Sequence, residues 1–101
     1  MSMPIETGGH PIQVLEPVAA QQITTSGTSA RSAQFDARTK ALELYATEGC
    51  FVALGGASID ATSSDIFVAA GLLYYYSVAS NTRIAAIQSS TGGTLYVNEL
   101  G

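Results

Sequence analysis

From residue 20 onward, apolar and polar positions alternate in short runs, and the runs are separated by Gly, Ser, Thr, Asn and Asp. Spacing of roughly 8 to 12 residues between such breaks is the pattern of a sandwich or barrel. It predicts eight strands, at 21–25, 30–35, 39–47, 50–54, 65–69, 72–79, 82–89 and 94–98. The run at 39–47 alternates most clearly, with Leu42, Leu44 and Ala46 on one side and Glu43, Tyr45 and Thr47 on the other. One of its faces should be core and the other wet or at an interface. A short helix over 37–47 is the competing reading, but Leu42 and Leu44 stand two apart and no second apolar turn follows. Residues 57–64 are small and polar and read as a loop crossing an end of the sandwich. Two hairpins are expected, one about Ala70-Gly71 and one about Gly92-Gly93. Paired glycines accept the positive φ values of a tight hairpin turn. The fold class is therefore all-β, an antiparallel β-sandwich (jelly-roll-like) of about eight short strands.

Residues 1–19 differ from the rest. They hold all three prolines (Pro4, Pro11, Pro17) together with Gly8 and Gly9. Proline lacks the ladder donor and restricts its predecessor, so this stretch is expected to form an extended arm outside the sheets. The division is thus an arm at 1–19 and a sandwich domain at 20–101.

Composition makes the core thin. Of 101 residues, 47% are hydrophobic, yet there are fifteen alanines, three phenylalanines and no tryptophan, and small side chains contribute little buried area. A domain this short buries only about 60 to 65% of the surface its unfolded chain exposes, so part of its stability should come from neighbours. Four basic residues against eight acidic ones leave a net charge of −4. No basic stripe can follow a phosphate backbone, which argues against nucleic acid as a partner. Charged residues make up 12%, about half the usual share. A polar but weakly charged surface suits burial between subunits.

Candidate chemistry is sparse. His10 is the only histidine and falls in the arm, where nothing would fix an imidazole for nucleophilic catalysis. Cys50 lies in the apolar run Cys50-Phe51-Val52-Ala53-Leu54 and reads as a buried thiol. One His and one Cys fall short of a zinc site. Asp60 and Asp65 bracket an oxygen-rich loop, Ala61-Thr62-Ser63-Ser64, that offers ligands for calcium but lacks the spacing of a known calcium loop; capping turns are the plainer reading. Gly55-Gly56-Ala57-Ser58 has no lysine or helix behind it and reads as a turn. The expectation is no catalytic residue, no cofactor and no metal. No stretch has the form of a signal peptide, and no apolar run reaches the ~18 residues of a membrane helix. Folding in the cytoplasm and no membrane partner are therefore expected.

The cluster Tyr74-Tyr75-Tyr76 is the most informative. In a strand, Tyr74 and Tyr76 point one way and Tyr75 the other, so at least one ring must leave so thin a core. Large amphipathic rings are enriched where proteins meet. The interface candidates are these three tyrosines together with Pro4, Ile5, Pro11, Ile12, Val14 and Leu15 of the arm.

From about residue 21 to 100 the order of several segments carries a family resemblance. These are Thr24-Thr25-Ser26-Gly27-Thr28-Ser29-Ala30, Glu48-Gly49-Cys50-Phe51-Val52-Ala53-Leu54-Gly55 and Ala61-Thr62-Ser63-Ser64-Asp65-Ile66-Phe67-Val68-Ala69-Ala70-Gly71. The closing pieces are Ile84-Ala85-Ala86-Ile87-Gln88 and Gly93-Thr94-Leu95-Tyr96-Val97-Asn98-Glu99-Leu100. In that order they resemble small structural proteins of tailed-bacteriophage virions. The chain departs from them in having Ala69-Ala70-Gly71 where many carry Pro-Pro-Gly, and in the arm before Val18. The resemblance implies a β-sandwich that serves as a capsid decoration (cement) protein, located on the virion capsid surface. Its expected partners are the major capsid protein and sister copies in a homo-oligomer, a trimer or dimer, with the arm reaching across to a neighbour. A head-to-tail connector, tail or baseplate component is the alternative. A glycan-binding host-attachment module is the alternative of another class.

Overall fold

In the computed structural model, residues 16–79 and 82–101 are described. They form eight strands: β1 (Pro17–Thr24), β2 (Ala30–Arg31), β3 (Ala41–Ala46), β4 (Cys50–Gly55), β5 (Ile66–Val68), β6 (Leu73–Ser77), β7 (Arg83–Gln88) and β8 (Thr94–Leu100). Two four-stranded sheets face each other, one in the order β1-β8-β3-β6 and the other β2-β7-β4-β5, and all strand pairs are antiparallel. The strands couple first with last, β1 with β8, β2 with β7, β3 with β6 and β4 with β5. A long antiparallel ribbon wrapped round itself gives this order, which is that of a jelly roll.

The wrapping overturns both expected hairpins. β5 and β6 belong to different sheets, and so do β7 and β8, so the turns at Ala70-Gly71 and Gly92-Gly93 carry the chain from one layer to the other. The turns exist, but their residues do not choose the partner. Gly92 is required for another reason. A Cβ there would stand 2.7 Å from the main-chain oxygen of Thr25 and 3.2 Å from Oε1 of Gln88. Gly92→Ala is expected to cost about 1 to 2 kcal/mol by overpacking, whereas Gly56→Ala, where a Cβ meets nothing within 4 Å, should be nearly silent in the same urea titration.

Three further expectations change. β1 starts at Pro17, so the last three residues of the expected arm are in the sheet. Proline is tolerated at the first position of an edge strand, where its missing donor is not needed. The predicted strand at 30–35 is reduced to Ala30–Arg31, although Ser32 N–H still donates to Ile84 O and Phe35 N–H to Thr82 O. The helix alternative at 37–47 is replaced by β3, as the alternation of Leu42, Leu44 and Ala46 requires.

The core lies between the layers. Ile23, Leu42, Leu44, Ala46, Leu95 and Val97 come from the first sheet, Cys50, Val52, Val68, Ile84 and Ala86 from the second, and Phe35, between β2 and β3, belongs to the same cluster. A smaller cluster sits on the outer face of the second sheet, where Ala53, Ala61 and Ala85 pack with Ile59 and Ile87. Residues 56–65 make that cluster. They do not cross an end of the sandwich as expected, but join β4 to its neighbour β5 and fold back over β4 and β7. Arg31 Nε donates to Ile59 O at 2.5 Å and Arg31 Nη2 to Asp60 Oδ1 at 3.1 Å, while Ala61 N–H donates to Ser29 Oγ at 2.8 Å. Covering on both faces explains why Ile84-Ala85-Ala86-Ile87 is apolar throughout.

Candidate functional site

Each sheet ends on the same flank in an edge strand, β5 in one and β6 in the other, joined by residues 69–72. Alternation divides the three tyrosines. Tyr74 and Tyr76 turn inward and pack against the core, and Ala69 N–H donates to the Tyr74 hydroxyl at 3.1 Å. Tyr75 turns outward and is 60% exposed. Its hydroxyl donates to Glu43 Oε2 at 2.7 Å, and Asn98 Nδ2 donates to Glu43 Oε1 at 3.1 Å. That bond to the carboxylate holds the phenolic proton and raises the Tyr75 pKa above the usual phenol value, with smaller contributions from desolvation and from the charge of Glu43.

Apolar side chains are exposed along this flank on both sheets, Tyr75 on the outer face of the first and Phe67 on the outer face of the second. Ile66, Phe67, Leu72 and Leu73 are each about half exposed, and Phe67 meets Phe51 with ring centroids 5.4 Å apart. Tyr45 stands opposite Leu73 on one side and Tyr96 on the other, and the Tyr45 and Tyr96 rings are 6.5 Å apart. Two parallel rows thus run across the outer face of the first sheet, Leu73-Tyr45-Tyr96 and Tyr75-Glu43-Asn98. Glu43 is the one charged residue in them, and both its oxygens are engaged.

Comparison with family models, with curated proteins and with solved structures finds no match.

Of the sequence-predicted interface residues, Pro4, Ile5, Pro11, Ile12, Val14 and Leu15 lie outside the described residues, as does His10. Tyr75 is exposed on the outer face of the first sheet at its β6 edge, while Tyr74 and Tyr76 pack against the core. Cys50 is fully buried, and desolvation pushes its thiol up to about 11, so it is packing and not a nucleophile. Asp60 is paired to Arg31, and Asp65 Oδ2 accepts from Thr62 N–H at 2.7 Å and from Thr62 Oγ1 at 3.1 Å. Those are anchors and a capping turn, and among the described residues no three His, Cys, Asp or Glu side chains come together. Ile66, Phe67, Leu72 and Leu73 were not singled out from the sequence. A three-residue edge strand such as β5 exposes neighbouring side chains without alternation, so it leaves no periodic signal.

Proposed function

We propose that this chain is a non-enzymatic structural subunit of a tailed-phage virion, a capsid decoration protein that stabilises the head shell through contacts with the major capsid protein and with sister copies. The observation that carries the reading is the uncharged flank built by β5 and β6 on a sandwich with a thin core. At ~200 Å² for a large side chain, the half-exposed Leu72, Leu73 and Tyr75 present about 300 Å² at β6, and Ile66 and Phe67 about 200 Å² at β5. The first lies within the roughly 300 to 600 Å² of the largest patch on a typical monomer, which often marks an interaction site. A jelly roll is also a fold that viral shells use, and the segment order resembles phage virion proteins. Small contacts repeated over a shell add by avidity.

Copy number in purified particles tests the proposal. Decoration requires the protein at hundreds per particle. Six or twelve copies would place it at the neck or tail, and its absence from particles would end the virion reading. The arm has its own test, and the structure sets where to cut. Glu16 N–H and C=O both pair with Gly101, and Pro17 opens β1, so the deletion covers residues 1–15 only. The truncated protein is expected to melt within about 4 °C of the full chain, a difference worth about 1 kcal/mol at this size, and to be lost from particles. Full occupancy by the truncated form would remove the arm from the attachment.

A specific observation favours a second reading as a glycan-binding module. Tyr45, Tyr96 and Tyr75 frame the polar pair Glu43 and Asn98 on one open face. Glycan-array binding that Tyr75→Ala abolishes would support it.

A further inference from the structure

Sheet edges invite pairing with other chains, and proteins blunt them with charge, proline, irregularity or brevity. Three of the four edges here are blunted. β1 opens with Pro17 and a register shift before Ala19. β2 has two residues, one of them Arg31, and β5 has three. β6 has none of these devices. Its five residues, Leu73-Tyr74-Tyr75-Tyr76-Ser77, include no charge and no proline, and its ladder with β3 has no shift.

The ladder also fixes which main-chain groups of β6 face away from β3. Val78 N–H donates to Lys40 O beyond one end of the β3·β6 pairing. Hydrogen-bonded pairs alternate in an antiparallel ladder, so Tyr76 and Tyr74 bond to β3, and the N–H and C=O of Leu73, Tyr75 and Ser77 point away from it. The opposite side of β3 agrees, since Thr47 N–H donates to Thr94 O in the register that turns Ala41, Glu43 and Tyr45 toward β8.

We propose that β6 pairs with β6 of a second copy, antiparallel about a twofold axis at Tyr75, so that the two first sheets become one sheet of eight strands. This deepens the reading of the flank as a docking surface and rests on it, but not on the virion assignment. Two observations select a second copy as the occupant. A twofold axis sets like against like, and this strand can meet itself because its outward side chains, Leu73, Tyr75 and Ser77, are uncharged. At β6 the half-exposed Leu72, Leu73 and Tyr75 supply about 300 Å² of the ~800 Å² per partner in a standard interface, and the strand's outward main chain and a polar rim add to it.

The register makes the test sharp. In the dimer Tyr75 faces its own mate as a hydrogen-bonded pair with Cα atoms ~5.5 Å apart, within the range of a disulfide. Ser77 faces Leu73, and the two Ser77 residues are about 13 Å apart along the strands. Tyr75→Cys and Ser77→Cys full-length proteins are compared after mild oxidation on non-reducing gels, with buried Cys50 as the silent background. Tyr75→Cys is expected to give covalent dimer in at least about tenfold higher yield than Ser77→Cys, because only its Cα spacing suits the bond. Light scattering should show a dimer for the natural chain and a monomer for Tyr75→Lys, with circular dichroism reporting both folded. Equal cross-linking of the two cysteine variants, or a natural chain that stays monomeric at high concentration, overturns the proposal. A chain that dimerises only after residues 1–15 are deleted also overturns it, in favour of those residues covering β6. Particle occupancy is read separately. Tyr75→Lys protein that fills capsids as a monomer, alongside a monomeric natural chain, leaves the virion reading standing and removes the dimer.

Discussion

Leu44→Ala is expected to cost about 3 to 4 kcal/mol, the upper part of the range for a leucine removed from a closed core. Leu44 is fully buried at the middle of β3, with β8 paired on one side and β6 on the other. Both neighbours are fixed by ladders, so the backbone cannot collapse into the space. The core is also short of bulk, and its largest fully buried side chains are Leu42, Leu44, Ile84 and Leu95. Alanines at 46 and 86 cannot swing in to fill a hole. Small domains have stabilities of roughly 5 to 15 kcal/mol, so this single change removes a large share. Urea unfolding should show the midpoint fall with the slope unchanged, while Leu44→Met, which conserves volume, should lose less than about 1.5 kcal/mol. A loss below about 1 kcal/mol for alanine would mean that the two sheets are not closely packed at this position.

The second large effect is at Glu99, whose carboxylate is buried on the inward face of β8. Asp36 N–H donates to Oε1 at 2.8 Å, Thr39 Oγ1 donates to Oε1 at 2.9 Å, and Gln21 Nε2 donates to Oε2 at 3.0 Å. One side chain thus ties the 36–39 turn to both β8 and β1. Glu99→Leu leaves these donors facing an apolar group, and the expected cost is about 2 to 4 kcal/mol. Glu99→Gln separates the contributions. Its single oxygen can still accept from Asp36 and Thr39, but its amide N–H would confront the Gln21 amide, which is held in place by Ala33 N–H donating to Gln21 Oε1 at 2.8 Å. Glutamine should therefore lose about 1 to 2 kcal/mol, the worth of one charge-assisted bond. Equal losses for leucine and glutamine would show that the charge, and not the number of accepted bonds, holds this end together.

Alternation made β3 readable before any coordinates, because one face is fully buried and the other open. The same alternation runs through Leu95, Val97 and Glu99 and would have placed Glu99 inside. Its charge speaks against burial unless its partners are known, and those partners lie some 60 to 78 positions away in the chain. Gly92-Gly93 was readable as a turn but not as a crossing between sheets. A turn signal is local, whereas the choice of ladder is settled by strands far off in sequence. The Gly92 requirement likewise comes from the approach of Thr25, on the other side of the fold. Tyr75 was legible as an outward ring because three tyrosines in a strand cannot all enter so small a core. Ile66 and Phe67 were not, since both are open on a strand too short to show a period.

The pairing of β1 with β8 has a consequence for how the molecule comes to be made. Among the described residues β8 is the one strand that pairs with both β1 and β3, so until it arrives β1 has no described ladder to join. On a ribosome, β1 waits without its ladder until β8 emerges, so the first sheet is completed only after every strand of the second sheet has been made. Loss of residues 94–100 would not trim an edge but divide that layer, leaving β1 detached from the β3·β6 pair.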